Sequence, residues 1–252
     1  MRRTTLGALA VTFACIAAPV FAQYTPLFVI PVESASNVTL PTGSAARVRL
    51  TGTDETVGAA LGIKTTEGTT TFDYVIDAYP QLQSRGVRSW LEPTFLIDFD
   101  EPVFAGLRTA MKDQNVKPER EALAAFVDRF IDKKNPRGWD LASTVATRRE
   151  GDCTEHAVLT AALARLQGQP ARVVVGIALI SRDTHHQAFG HAWVEMLESG
   201  KWVVADAALR DHSYVVRYLP LALIEEEGPG YKMALAGAAR RWVQRVEVLG
   251  TK

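Results

Sequence analysis

The chain has 252 residues, 47% of them hydrophobic, enough to fill one ordinary core with or without a smaller appendage. Lys plus Arg and Asp plus Glu both number 28. That balance leaves no charge field of the kind that holds nucleic acid or an anionic membrane surface.

Residues 1–22 have the pattern of a signal peptide. Arg2 and Arg3 give a positive start, Leu6 to Ala18 an apolar run, and Val20-Phe21-Ala22 a small-residue cleavage site before Gln23. The apolar run is too short to span a bilayer comfortably, and no later run approaches about 20 residues, so no membrane span is expected. The expected product is exported, periplasmic or secreted. Loss of Arg2 and Arg3 leaves it 26 basic residues against 28 acidic. Cys15 departs with the leader, and Cys153 becomes the single cysteine. In an oxidising compartment cysteines usually pair, so a lone one is either buried and inert or a reactive thiol.

Residues 23–98 read as a β-rich region without a catalytic constellation. Apolar or alternating runs at Leu27–Val32, Ala46–Leu50, Thr69–Ile76 and Phe95–Ile97 are separated by turn clusters such as Pro41-Thr42-Gly43 and Glu67-Gly68. The region is expected to pack on a core domain of residues 99–252. Helical periodicity starts after Asp100, first over Pro102–Lys112. Over Pro118–Lys133 the stripe of Leu123, Phe126, Val127, Phe130 and Ile131 makes it clearer, with Pro118 in the first turn. A short helix is expected over Leu141–Arg148.

The stretch Gly151–Gln167, GDCTEHAVLTAALARLQ, organises the rest. Asp152 followed three residues later by Glu155 is a capping pattern, each side chain satisfying an otherwise orphaned backbone N–H. Cys153 is then the first helical residue, where exposed N–H groups and the macrodipole favour a negative charge and bias a thiol towards thiolate. Small and apolar residues follow, with Leu159, Leu163 and Leu166 on one face, a helix for the centre of a domain; Gly168 and Pro170 stop it. Strands are expected next at Ala171–Ile180, Gly190–Leu197 and Lys201–Asp206, the last two as a hairpin around Glu198-Ser199-Gly200. Two more are expected near Tyr214–Leu219 and Trp242–Leu249. Helices first and an antiparallel sheet after them predict an α+β fold.

His191 and Asp206 stand out in the hairpin. A thiol becomes a useful nucleophile when a base takes its proton and a third group orients the base, and Cys153, His191 and Asp206 supply those parts. The pair is fifteen residues apart. Opposed residues of an antiparallel hairpin share a face, so an even loop puts both side chains on one side: four residues oppose them and two leave them diagonal. A three-residue loop would separate them. The expected place for the pair is the face that meets the start of the cysteine helix.

These residues carry a resemblance. Gly151-Asp152-Cys153, then Gly168-Gln169-Pro170-Ala171-Arg172, then Gly190-His191-Ala192-Trp193, then Trp202 through Asp206 resemble the transglutaminase-like superfamily of papain-like cysteine enzymes over roughly residues 120–220. Gln169 stands where an apolar residue is more usual. The resemblance implies a papain/transglutaminase-like core, with the nucleophile starting a buried helix packed on an antiparallel sheet. It further implies Cys153 as nucleophile, His191 as base, Asp206 as orienting acid, and no cofactor. The expected activity is peptide or amide hydrolysis through a thioester; the alternatives are cross-linking acyl transfer, or a non-catalytic peptide-binding scaffold of the same fold, since some members have lost activity. For an exported member the implied substrate is a peptide or protein, of the cell envelope among other sources.

The backbone N–H of Cys153 is a natural oxyanion donor. The family adds a side-chain donor from upstream, for which Trp139 is the candidate, and Trp139 and Trp193 are candidate walls of a substrate groove. Zinc held by Cys153, His156, His185, His186 and His191 is the weaker alternative, because no second cysteine exists. His156 is expected to hydrogen-bond near its own helix, and His185 and His186 to be solvated. A resting thiolate–imidazolium pair would leave no tautomer for Asp206 to select, so Asp206→Asn is expected to be tolerated far better than Asp206→Ala.

Overall fold

The structure, a computed structural model, describes residues 28–252 apart from 36, 54, 65, 78, 83–85, 133–137, 211–212 and 225–242. The expected leader at residues 1–22, the end of the expected helix at Lys133 and the start of the expected strand at Trp242 lie outside the described residues. The described elements, in chain order, begin with strands β1 (Phe28–Ile30), β2 (Val32–Ser34) and β3 (Ala46–Gly52), helix α1 (Thr56–Ala60) and strand β4 (Thr71–Ile76). Helices α2 (Val103–Asp113), α3 (Arg120–Phe130), α4 (Ala142–Arg148) and α5 (Cys153–Leu166) follow, then strands β5 (Ala171–Arg182), β6 (His185–Glu198), β7 (Lys201–Ala205), β8 (Val215–Leu223) and β9 (Val243–Thr251). No described helix is long and apolar enough to cross a membrane.

The fold is α+β with predominantly antiparallel sheets. The main sheet runs β1-β6-β5-β8, with β7 also paired to β6. Its central strand β5, ARVVVGIALISR, reads as a near-continuous apolar run because both of its faces are covered. Odd residues of β5 (Ala171, Val173, Val175) and even residues of β6 (Ala192, Val194, Met196) share one core with Val158, Leu159, Leu163 and the other apolar residues of α5. Each leucine fully buried there contributes roughly 1.5–3 kcal/mol. Leu96 and Ile97 join this core from a loop, where a strand was expected at Phe95–Ile97; a short apolar run reads the same for either.

A second sheet, ordered β2-β9-β3-β4, draws on both ends of the chain. Ala46, Val48 and Leu50 alternate inward and meet Ile177, Leu179, Leu219 and Leu221 of the main sheet. Strand β1 ties the N-terminal region to β6, pairing Phe28 with Gly190. A Cβ on Gly190 would lie 2.3 Å from the Phe28 ring, so glycine before His191 lets that ring lie across β6 where it does.

Candidate active site

The cap expected from sequence is formed. Asp152 is extended and accepts from the Thr154 N–H at 3.0 Å; Glu155 accepts from the Asp152 N–H at 3.0 Å, completing a capping box. Thr154 Oγ1 donates to Asp152 Oδ1 at 2.9 Å and accepts the N–H of Trp139 at 3.2 Å, while Glu155 Oε1 accepts the N–H of Asp140 at 3.0 Å. Trp139 is 6% exposed and holds φ of 66°, a left-handed backbone that costs a bulky residue roughly 1–3 kcal/mol. Its hydrogen bond to the first turn of α5 helps hold that conformation.

Asp152 and Glu155 also hydrogen-bond each other through their carboxyls, and burial followed by the neighbouring Glu155 pushes Asp152 up to about 7. A folded pKa above the ordinary value near 3.9 means that stability declines as pH rises from about 4 to about 7. Asp152→Asn retains the cap acceptor and offers its amide to Glu155. The variant is expected to gain on the parent across that window, by roughly 1–3 kcal/mol at pH 8 in denaturant titrations. A constant difference between the two proteins from pH 4 to pH 8 would exclude the shared proton.

The hairpin loop is the two-residue option. Glu198 pairs with Lys201 around Ser199 and Gly200, both at positive φ (51° and 79°), the backbone of a two-residue turn that suits strand twist. That register sets His191 and Asp206 diagonally on one face, with Nε2 of His191 2.7 Å from Oδ2 of Asp206. The face corrects the expectation. His191 alternates with Ala192 and Val194, so it points away from the body of α5, alongside Phe189, Trp193 and Glu195.

Cys153 meets β6 at its edge instead. Along that edge β1 pairs with residues 188–190 and β7 with 194–198, leaving residues 191–193 in a gap between the two strands. The backbone N–H of Ala192, next to His191, lies close enough to the Cys153 sulfur there to favour its charged form.

Cys153 is 2% exposed. Burial, then the Asp152 carboxylate, pushes its thiol well above the ordinary range, against a smaller opposing effect of the Ala192 N–H. This overturns the thiolate bias expected from the helix start: the first-turn N–H groups of Thr154 and Glu155 already serve Asp152, and a buried sulfur lacks the water that would stabilise its charge. Asp206 shifts the other way. Burial alone would raise it, but His191, the Tyr218 hydroxyl and the Leu209 N–H together hold it below the usual carboxylate range. Its Oδ1 accepts the N–H groups of Ala208 at 2.9 Å and Leu209 at 3.1 Å; its Oδ2 accepts from Tyr218 at 2.8 Å as well as His191.

The other candidates fall out as follows. Trp193 is 1% exposed and packs beneath His191 (ring centroids 6.0 Å apart), donating its indole N–H to Tyr79 at 2.9 Å. It is a packing residue, not a groove wall. The ring of His156 is bonded to the Asp152 carbonyl at 2.5 Å. His185 is exposed, and His186 is bonded to Ser181 and to the carbonyl of Val38, at 3.0 and 3.1 Å. Tyr218 escaped the sequence reading because Arg217-Tyr218-Leu219 carries no local motif; Gly176 and Ala178, which leave room for rings on the strand between β8 and β6, were the available hint.

Residues 109–207, from the last part of α2 through Asp206, match the family model of the transglutaminase-like superfamily. Over that stretch, less than half of its length, the chain is similar to the transglutaminase-like superfamily. Among curated proteins none matches it. Among solved structures, a candidate cysteine protease of Cytophaga hutchinsonii is similar at 16% identity and a TM-score of 0.47, covering 88% of this chain and 80% of that one. The matched stretch holds the capping box, Cys153, His191 and Asp206, whereas Tyr79 and Tyr218 lie outside it.

Proposed function

We propose that this protein hydrolyses amide or peptide bonds through a thioester on Cys153, with His191 as base and Asp206 as orienter. The observation that carries this proposal is the buried His191–Asp206 pair, with Nε2 given to the carboxylate and the backbone N–H beside His191 close to the sulfur. An ionised carboxylate surrounded by donors costs several kcal/mol to bury, and its use here is to orient and stabilise an imidazolium.

Because the thiol is held up, the proton stays on sulfur until substrate arrives. His191 Nδ1 then takes it as sulfur attacks the carbonyl carbon. The oxyanion forms near the Cys153 N–H, which no bond within the capping box uses, and Trp139 is the proposed upstream partner. Collapse expels the amine, which leaves with the proton from His191. Water, deprotonated by His191, attacks the thioester to give the acid and restore the thiol. Acyl transfer to an amine uses the same residues, and added amine acceptors distinguish it. The leader makes an exported enzyme of this type, meeting peptides or cell-envelope proteins.

The test is labelling followed by mass spectrometry. Iodoacetamide should modify folded Cys153 more slowly than a free thiol peptide, since the sulfur is buried and protonated. A set of peptidyl vinyl sulfones should label Cys153, and His191→Ala should abolish that labelling. No labelling by the set, or labelling that survives His191→Ala, contradicts the proposal.

A further inference from the structure

Among the described residues, two side chains bond Asp206, and both use Oδ2: His191 at 2.7 Å and Tyr218 at 2.8 Å. Tyr218 reaches it from β8, across β5, where it pairs with Ala178 one row from the pair of Gly176 and His191. The small residues at 176 and 178 let the Tyr218 ring lie 6.4 Å from the His191 ring and 5.1 Å from that of Trp193. A cavity of about 220 Å³, lined by Arg120, Asp206, Arg210 and Tyr218 among others, adjoins the carboxylate.

We infer that Tyr218 is a positioning residue for the base: its hydroxyl fixes Oδ2 and shares the carboxylate charge, setting the orientation and basicity of His191. The inference rests on the proposed roles of His191 and Asp206. The two backbone donors hold Oδ1 and cannot fix Oδ2, whereas a carboxylate oxygen carrying two donors is fixed in both direction and charge. Burial and the adjacent Asp206 keep Tyr218 protonated, so it remains a donor. Among the described residues, the other charged or titratable groups around the pair are Cys153 with Asp152 and Glu155 at the start of α5, Arg120 and Glu121 of α3, Arg210 after β7, and Tyr79 and Tyr214; replacing Tyr218 removes none of them.

Tyr218→Phe keeps the ring and removes the donor. Asp206 then bears more charge towards the imidazole, and the imidazolium is stabilised. The NMR titration midpoint of His191 should rise by about 0.5–1 unit, and the acid limb of the pH–rate profile should move with it. The plateau kcat should fall about three- to tenfold with KM unchanged, since the hydroxyl acts through Asp206. A fluorotyrosine at position 218, a stronger donor of the same shape, should move the midpoint down. Unchanged midpoints in both proteins, or in the fluorotyrosine protein alone if the Phe variant does not fold, overturn the inference and leave Tyr218 a packing residue. The titration needs no turnover, so it decides the role of Tyr218 even if no amide proves to be a substrate.

Discussion

Asp206→Asn should be as damaging as Asp206→Ala, with each losing on the order of 10³–10⁴-fold in kcat/KM while remaining folded. Among the described residues, the four hydrogen bonds on Asp206 all come from donors: two backbone N–H groups on Oδ1, and His191 and Tyr218 on Oδ2. An asparagine has one acceptor oxygen. Placed towards Ala208 and Leu209, it turns its NH₂ against the imidazole N–H; placed towards His191, it turns the NH₂ against two backbone donors. The tautomer argument then returns in full. A thiol protonated at rest needs a neutral imidazole with Nδ1 open, and an amide facing Nε2 selects the opposite tautomer. The sequence alone suggested tolerance, because it showed the helix-start thiol without its burial. pH–rate profiles of both variants, with circular dichroism to establish folding, make the comparison. An Asn variant with more than a tenth of the parent activity would mean that His191 rests as imidazolium.

The second large effect is on stability. Arg172 and Glu195, opposed on β5 and β6, form an ion pair of 2.5 Å with both side chains at 0% exposure. Glu195 also accepts from Tyr79, Arg172 lies 4.1 Å over the Trp202 ring, and its guanidinium donates to the carbonyl of Leu82 at 3.4 Å. Glu195→Gln leaves the guanidinium buried without its counter-charge and should cost about 3–5 kcal/mol in urea unfolding. Replacing both residues, as Arg172→Met with Glu195→Leu, removes the uncompensated charge and should cost less than either single change. The network extends to the site, since Tyr79 bonds Trp193 and Trp193 stacks on His191. A loss below about 1 kcal/mol for Glu195→Gln would show that water reaches the pair.

What the sequence made legible was local. The capping box, the helix it starts and the two-residue hairpin follow from residues within a few positions of one another, and the odd spacing of His191 and Asp206 then left few arrangements. What it hid was set by distant parts of the chain. The pairing of β9 with β2 and β3, the alternation that turns His191 away from α5, and the strand gap at residues 191–193 all depend on which strands lie side by side. The same holds for the acidity of Cys153. A helix start argues for thiolate, but burial against β6 and a carboxylate at the preceding residue argue harder for the thiol, and only the assembled core contains both. Tyr218 enters from a strand outside the matched family stretch, where no motif marks it.

The most direct test of the central claim is acid quenching during turnover of a cleavable peptide amide, followed by mass spectrometry of the digest. A thioester on the peptide that contains Cys153, discharged by neutral hydroxylamine and absent in Cys153→Ala, is the expected result. Turnover with no adduct, or with an acyl group on another residue, would contradict it.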